Sequence, residues 1–426
     1  MNLVPRPVFA IDFGTSLVKF GPVWRGRYPD IMDNRGYFPK ISKVSAEIRG
    51  IKTEEVVVGP EVSEYLESKA DLSRLHYPMR NGVVERDDVR GWKVIRKIIE
   101  YALRKYYPGP KTPKGEPFQG FFLVVALAAQ SPVYMYEKMF DIVKEANSSF
   151  GGGLVKAATI VPQPLAVAIS EKAVTCTVIE AGHGNTQITP ISRDVIRSAL
   201  IPLNRGGSDS DKITAQILKD LGYSDLAREE KFVRTFKEMT GLVPRELNSS
   251  IEWAKSHPGA VKSEFSIPGT TVKIDFGDKA WMRFLIGEYF FNPSHEVFQS
   301  YYTRGFTPPK DTVVGGEVIP GSVDLGEAVK IAISKTPIEI QPALLRRIIL
   351  SGGAFNWKAP AGLEGIAVSS PEKLRILLKA RGMDSSPAMI RDPQFSVWRG
   401  AIVYGAYIPE DLSWDWSSME GWLYLE

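Results

Sequence analysis

The sequence predicts an α/β fold built from two similar domains, and three observations carry that reading. The stretch Phe9-Ala10-Ile11-Asp12-Phe13-Gly14-Thr15-Ser16-Leu17-Val18-Lys19 is a buried strand that delivers one carboxylate into a glycine turn. A partner turn occurs at Glu180-Ala181-Gly182-His183-Gly184-Asn185-Thr186, so a hairpin-plus-helix unit appears twice in the same order. The chain has 426 residues, which suits two or more domains better than one core.

Bulk composition excludes several classes. Hydrophobic content of 44% and charged content of 24% belong to an ordinary soluble protein. A net charge of +4 is too weak to argue for direct nucleic-acid binding. The single cysteine, Cys176, allows no internal disulfide and sits in an apolar strand as a core thiol. The most apolar run, Gly120 to Ala129, is too short to span a bilayer and reads as a central strand. Met1 to Pro7 lacks a signal peptide's apolar core. The expectation is a cytoplasmic protein with no membrane insertion.

The elements follow in order. The first hairpin ends near Trp24. Residues 34–74 read as a small exposed insertion around a Val56-Val57-Val58 strand. Asp87 is expected to cap a helix whose apolar positions Val89, Trp92, Ile95, Ile99 and Leu103 recur at helical spacing. Pro108 and Gly109 stop it, and Lys111 to Pro117 is a surface loop. Pro132 starts a second helix, which the glycines 151–153 follow. Pro162-Gln163-Pro164 leads into an Ala-rich helix, Leu165 to Ile169. Gly206-Gly207-Ser208-Asp209 turns into a helix that Gly222 ends. Helix continues through Glu238 and again from Arg245 to Lys255, and Ser263 to Asp275 alternates like strands. Tyr301 to Ser322 lacks a clear period and reads as a long loop whose aromatics either meet a partner or fold on their own domain. Ile348 to Leu350 is a strand, and Gln394 to Ala401 enters a last helix.

A carboxylate facing a glycine turn suits a triphosphate with Mg²⁺. Turn N–H groups and hydroxyls take phosphate oxygens, a lysine adds positive charge, and the carboxylate orders the metal's water shell. Asp12, Gly14, Thr15, Ser16, Leu17 and Lys19 form one such set. Alone, Asp12 is just as well a turn cap; the paired turn strengthens the metal reading.

This ordered set resembles the actin, Hsp70 and sugar-kinase ATPase superfamily. Asp12 to Lys19 is similar to its first phosphate loop and Pro162 to Ala166 to its first connecting segment. Glu180 to Gln187 is similar to its second phosphate loop. Leu350 to Phe355 resembles the adenosine motif and Phe395 to Ala401 the second connecting segment. Leu75 to Val84, Leu221 to Ser224, Val233 to Glu238 and Phe395-Ser396-Val397-Trp398 narrow the resemblance to the actin branch. The wording of Gly182 to Asn185 and of Pro162 to Pro164 points toward archaeal rather than eukaryotic actins.

The resemblance implies an actin-like fold of two duplicated ribonuclease H-like domains, four subdomains in all, around a nucleotide cleft. Their expected bounds are 1–33, 75–170 and 396–426 for the first and 34–74 for the second. The third takes 171–206 and 294–395, with a long loop at 295–322, and the fourth 207–293. ATP or ADP with Mg²⁺ is the implied cofactor, with Asp12 and Glu180 on the metal through water. Self-association into filaments and cytoskeletal accessory proteins are the implied partners.

The resemblance also assigns roles. Gln163, held between prolines, lies beside the attacking water; the plain alternative is a helix-entry residue. Gln187 stands where actin has a histidine, and it orients water rather than abstracting a proton. Together with Asp12 and Glu180 these are the catalytic candidates, and slow hydrolysis in the monomer is expected. Gly182, His183, Gly184, Asn185 and Gly207 belong to the phosphate side. His183 replaces an aspartate and is either a phosphate donor or a solvent-facing histidine. Arg234, Lys237 and Glu238 share a helix face that meets adenosine in actin, or else form a solvated charged face. Gly352, Gly353, Ala354, Phe355, Trp357 and Phe395 are the adenine-side candidates. Phe395 has an alternative as packing beneath the Trp398 helix.

Three rivals remain. A small-molecule kinase of the same superfamily needs a carboxylate base with a motif around it, and none is evident. An Hsp70-like chaperone needs a substrate domain after the last motif, where only Ile402 to Glu426 follow. A non-polymerising cap or scaffold shares every motif.

Overall fold

A computed structural model describes residues 6–40, 55–67, 71–269, 271–314 and 316–425. The chain divides into two compact units, Met1–Ala173 with Gln394–Glu426, and Val174–Pro393.

The first unit is organised by a six-stranded sheet. Its order is Leu423–Tyr424, Val155–Pro162, Phe121–Leu127, Val8–Phe13, Leu17–Pro22 and Asp30–Asp33. Val8–Phe13 runs parallel to Phe121–Leu127 and antiparallel to Leu17–Pro22. Both central strands are buried at every residue, as strands covered on both faces must be. Alternation decides what each face carries. Phe9, Ile11, Phe13, Leu123, Val125 and Leu127 join the core under helices Val89–Tyr106 and Val133–Ser149. Val8 and Val124 face the other way, onto Gly405 of helix Ser396–Tyr407. Asp12 shares their parity, so the strand aims its carboxylate away from the aromatic core.

The second unit repeats the plan. Thr175–Ala181 runs parallel to Ile348–Ser351, which is parallel to Pro387–Met389. It is antiparallel to Thr186–Ser192, which also pairs with Asp194–Val195 and Ile201–Leu203. In both units the carboxylate-bearing strand therefore has its hairpin partner on one side and a parallel strand on the other. A separate core joins helices Gly207–Asp220, Glu230–Thr240, Leu247–Ser256 and Arg283–Phe291 to the hairpin Glu264–Ser266 and Lys273–Asp275.

Three expectations need correction. Asp88, not Asp87, caps Val89–Tyr106, with its Oδ1 accepting from Gly91 N at 2.8 Å. Asp88 also holds His76 Nε2 at 2.8 Å, which fixes the cap side chain. The 34–74 region is not simply exposed. Gly36–Tyr37, Val57–Val58 and Leu75–His76 form a small sheet beside helix Pro60–Glu67, and Tyr37, Phe38, Val56 and Val58 are buried. Residues 41–54 and 68–70 lie outside the described residues. Finally, the 301–322 stretch is not an aromatic-tipped loop. Tyr301 lies in helix Gln299–Thr303 and is buried, and Phe306 packs edge-on to Tyr289 at 5.5 Å. Strands Thr312–Val314 and Glu317–Ile319 follow as a hairpin whose exposed pair is aliphatic, Val313 against Val318.

Candidate functional site

Each hairpin places one polar pair at its turn. In the first, Asp12 lies opposite Lys19 across the ladder, and Lys19 Nζ donates to Asp12 Oδ2 at 2.9 Å. Gln163, the first residue of helix Gln163–Ser170, donates from Nε2 to Asp12 Oδ1 at 2.8 Å and to the Phe13 carbonyl at 3.1 Å. Both of those partners are acceptors, so the nitrogen end of the amide must face Asp12. Asp12 is 1% exposed, and an unpaired carboxylate there would be costly. The turn closes as Gly14 N donates to the Leu17 carbonyl at 3.1 Å. Thr15 Oγ1 accepts from Gly82 N at 2.9 Å, and Asn34 Nδ2 donates to the Gly14 carbonyl at 2.8 Å. Asn34 supports the turn although no motif marked it.

In the second hairpin Glu180 lies opposite Gln187, whose Nε2 donates to Glu180 Oε2 at 3.2 Å. The positions are equivalent, but a neutral amide stands where the first hairpin has an ammonium. Gln187 is fully buried. Gly182 N donates to the Asn185 carbonyl at 3.0 Å, closing the turn. Asn185 is buried, and its Nδ2 has no partner among the described residues.

The turn rests on the start of helix Gly207–Asp220. Gly207 N donates to the Gly182 carbonyl at 2.9 Å and Ser208 N to the His183 carbonyl at 2.7 Å. A side chain at Gly206 would stand 2.5 Å from the His183 carbonyl oxygen, so only glycine lets the segments meet. Asp209 Oδ2 accepts from Gly206 N at 2.9 Å and completes the cap.

His183 sits among charges. Arg234 Nη2 stands 3.5 Å from His183 Nδ1, and Asp211 Oδ2 lies 3.8 Å from the same nitrogen. Burial, reinforced by Arg234 and opposed by Asp211, pushes the His183 pKa down to about 4. The ring is therefore a neutral donor near pH 7, and the negatively charged aspartate of the actin pattern has no equivalent at this position.

Lys237 is buried and pairs with Asp211 Oδ1 at 2.8 Å while donating to the Gly207 carbonyl at 3.2 Å. Asp211 thus gathers His183 and Lys237. Sequence reasoning missed it, because an acidic residue one turn into a helix reads as part of a solvated polar face. Glu238 is exposed on the same helix, Glu230–Thr240.

The adenine-side candidates divide. Gly352 has φ +92°, and a Cβ there would lie 2.1 Å from the Ala181 carbonyl oxygen, so glycine is required. Gly353 is exposed and Ala354 half-buried. Phe355 is fully buried against Phe290, with centroids 5.2 Å apart, so its ring belongs to the core and is corrected to a packing residue. Trp357 is half-buried and brings its Nε1 within 2.9 Å of where a Cβ on Gly241 would stand. Phe395 belongs to the first unit, is buried and packs edge-on to Tyr28 at 5.5 Å. Among the described residues no cluster of three or more His, Cys, Asp or Glu side chains could hold a metal ion. No helix among them is long and apolar enough to cross a membrane.

Two like α/β units, each with a carboxylate at a glycine hairpin, define the plan shared by actin, Hsp70 and sugar kinases. The actin family model matches residues 6–406, and the chain belongs to the actin family. It is 24% identical to actin-related protein 2 of Saccharomyces cerevisiae, over 98% of this chain and 96% of that one. Actin-related protein 3 of the same yeast is 25% identical, over 83% of this chain and 72% of its own length. Actin-related protein 3 of Neurospora crassa is 26% identical, over 67% and 57% respectively.

Proposed function

We propose that this protein is a cytoskeletal actin of the archaeal type, which binds Mg²⁺-ATP, assembles into filaments and hydrolyses ATP slowly. Its likeness to crenactin, the actin of crenarchaea, rests on the wording around Gly182 to Asn185 and Pro162 to Pro164. The observation that carries the nucleotide reading is the repeated pair: Asp12 with Lys19, and Glu180 with Gln187, at equivalent places in two hairpins. The second turn fits a phosphate ligand, since the buried Asn185 Nδ2 lacks an acceptor among the described residues and His183 offers a neutral N–H.

In this reading Asp12 and Glu180 would hold Mg²⁺ through water, and the ion would supply charge that offsets the phosphates. Lys19 and the N–H groups of Thr15, Ser16 and Leu17 take phosphate oxygens at the first turn. Gly182, His183, Gly184 and Asn185 take them at the second. Gln163 keeps its amide nitrogen on Asp12, and the resemblance to actins places this glutamine beside the attacking water. Gln187 cannot abstract a proton, so hydrolysis rests on positioning and charge. Lys237, Glu238, Arg234, Gly353 and Trp357 frame the nucleoside. Four subdomains, cytoplasmic residence and accessory partners complete the proposal.

High-speed pelleting with Mg²⁺-ATP, with Mg²⁺-ADP and without nucleotide, checked by negative-stain microscopy, tests it. Nucleotide-dependent pelleting with visible filaments is the expected result. A chain that binds ATP and stays in the supernatant is instead a cap or scaffold.

A further inference from the structure

The second glycine turn is wired to a distant hairpin through two consecutive residues. Thr186 Oγ1, at the turn's exit, donates to the Arg205 carbonyl at 2.7 Å. The next residues, Gly206 to Ser208, carry the turn's carbonyls as described. In the opposite direction, Asn204 bridges Lys310, and its Nδ2 donates to the Asp311 carbonyl at 3.0 Å. Arg205, fully buried, donates from Nη1 to the carbonyls of Gly321 at 3.0 Å and Val323 at 2.7 Å. Gly321 N donates to Asp311 Oδ1 at 2.9 Å, and a Cβ at Gly321 would lie 2.3 Å from the Lys310 and Pro309 carbonyl oxygens. The two legs of the hairpin are therefore pinned together at its base, and Asn204 and Arg205 pin that base to the turn. The hairpin carries Val313, 69% exposed, directly across from Val318, 61% exposed.

One feature makes this connection switchable rather than merely tight. Arg205 Nε and Nη2 have no hydrogen-bond partner among the described residues. A guanidinium has five donors, and those left unmet in a buried site can capture a carbonyl that moves. The base of the hairpin can thus exchange partners on Arg205 without leaving it bare.

We propose that Asn204 and Arg205 are positioning residues that transmit occupancy of the second phosphate turn to the Thr312–Ile319 hairpin. This inference rests on the nucleotide reading above. A phosphate at Gly182 to Asn185 shifts the 204–208 strut, and Arg205 repositions the carbonyls of Gly321 and Val323.

The sequence supplies a clean probe. Its one cysteine, Cys176, is buried and its thiol is pushed up to about 12, so a Val318→Cys variant carries one reactive thiol. The full chain with this substitution is labelled by a maleimide at a concentration where no pelleting occurs, with and without Mg²⁺-ATP. Nucleotide affinity is measured separately by calorimetry. The expected result is a labelling rate that changes about fivefold or more on ATP binding. Adding Arg205→Lys removes most of that change while the affinity holds. Asn204→Ala, at a half-exposed site, diminishes it and serves if the Arg205 variant does not fold. ATP binding with unchanged labelling overturns the proposal, as does a nucleotide response that survives both substitutions. Absence of ATP binding by calorimetry in the parent overturns the nucleotide reading itself, and this inference with it.

Discussion

Both carboxylate oxygens of Asp12 are held, one by Gln163 and one by Lys19, so its side chain has one orientation. Replacing Lys19 by Met leaves a buried charge with a single amide partner. The expected loss is about 3 kcal/mol in denaturant unfolding, the usual cost of breaking a buried pair. His183 gives a pH signature. Its folded pKa of about 4 lies below the ordinary value of 6.5, so the unfolded chain takes the proton first as pH falls. The His183 contribution to stability is full above about pH 6.5, declines toward about pH 4 and is flat below that. An NMR titration of the ring should show its midpoint near 4, and His183→Asn should remove this component from the stability profile. Asp12, Glu180 and Gln163 were legible in the sequence because strand, turn and helix signals flank them. Asp211 was not, because its partners His183 and Lys237 come from other elements and no local pattern announces them.

At the scale of elements, close approach of backbones governs. A Cβ on Gly400 would stand 1.7 Å from the Ala166 carbonyl oxygen, where helix Ser396–Tyr407 crosses the helix that begins with Gln163. Gly400→Ala should force the helices apart and cost about 3 kcal/mol, seen as a lower melting temperature. Because the displaced helix carries Gln163, ATP turnover should fall more than ATP affinity. The long amphipathic helices were readable from their period, and the paired hairpins from their turns. The Thr312–Ile319 hairpin was not, since its three-residue strands, Thr312–Val314 and Glu317–Ile319, are too short to show alternation. The aromatics before it looked exposed because a sequence without period hides which rings face Tyr289.

For the whole molecule, assembly is the property at issue. Val313→Asp with Val318→Asp charges the exposed face of the hairpin without touching either glycine turn. If the hairpin is an assembly contact, this double variant should stay in the supernatant while binding ATP as the parent does. Pelleting that persists would place the contact elsewhere. ATP at about a hundred times its Kd should also stabilise the chain by about 2.7 kcal/mol, checked as a shift in thermal melting.

The first unit is written in two pieces, and the second lies whole between them. During synthesis the residues from Val174 to Pro393 emerge as one uninterrupted block and can close their own core at once. The earlier piece must wait. Its sheet lacks the edge strand Leu423–Tyr424, and Val8 and Val124 lack the helix that covers them, until the last stretch of chain is made. Folding order thus runs against chain order: the domain that begins first is completed last, and its apolar sheet face is the surface a nascent chain must keep from aggregating.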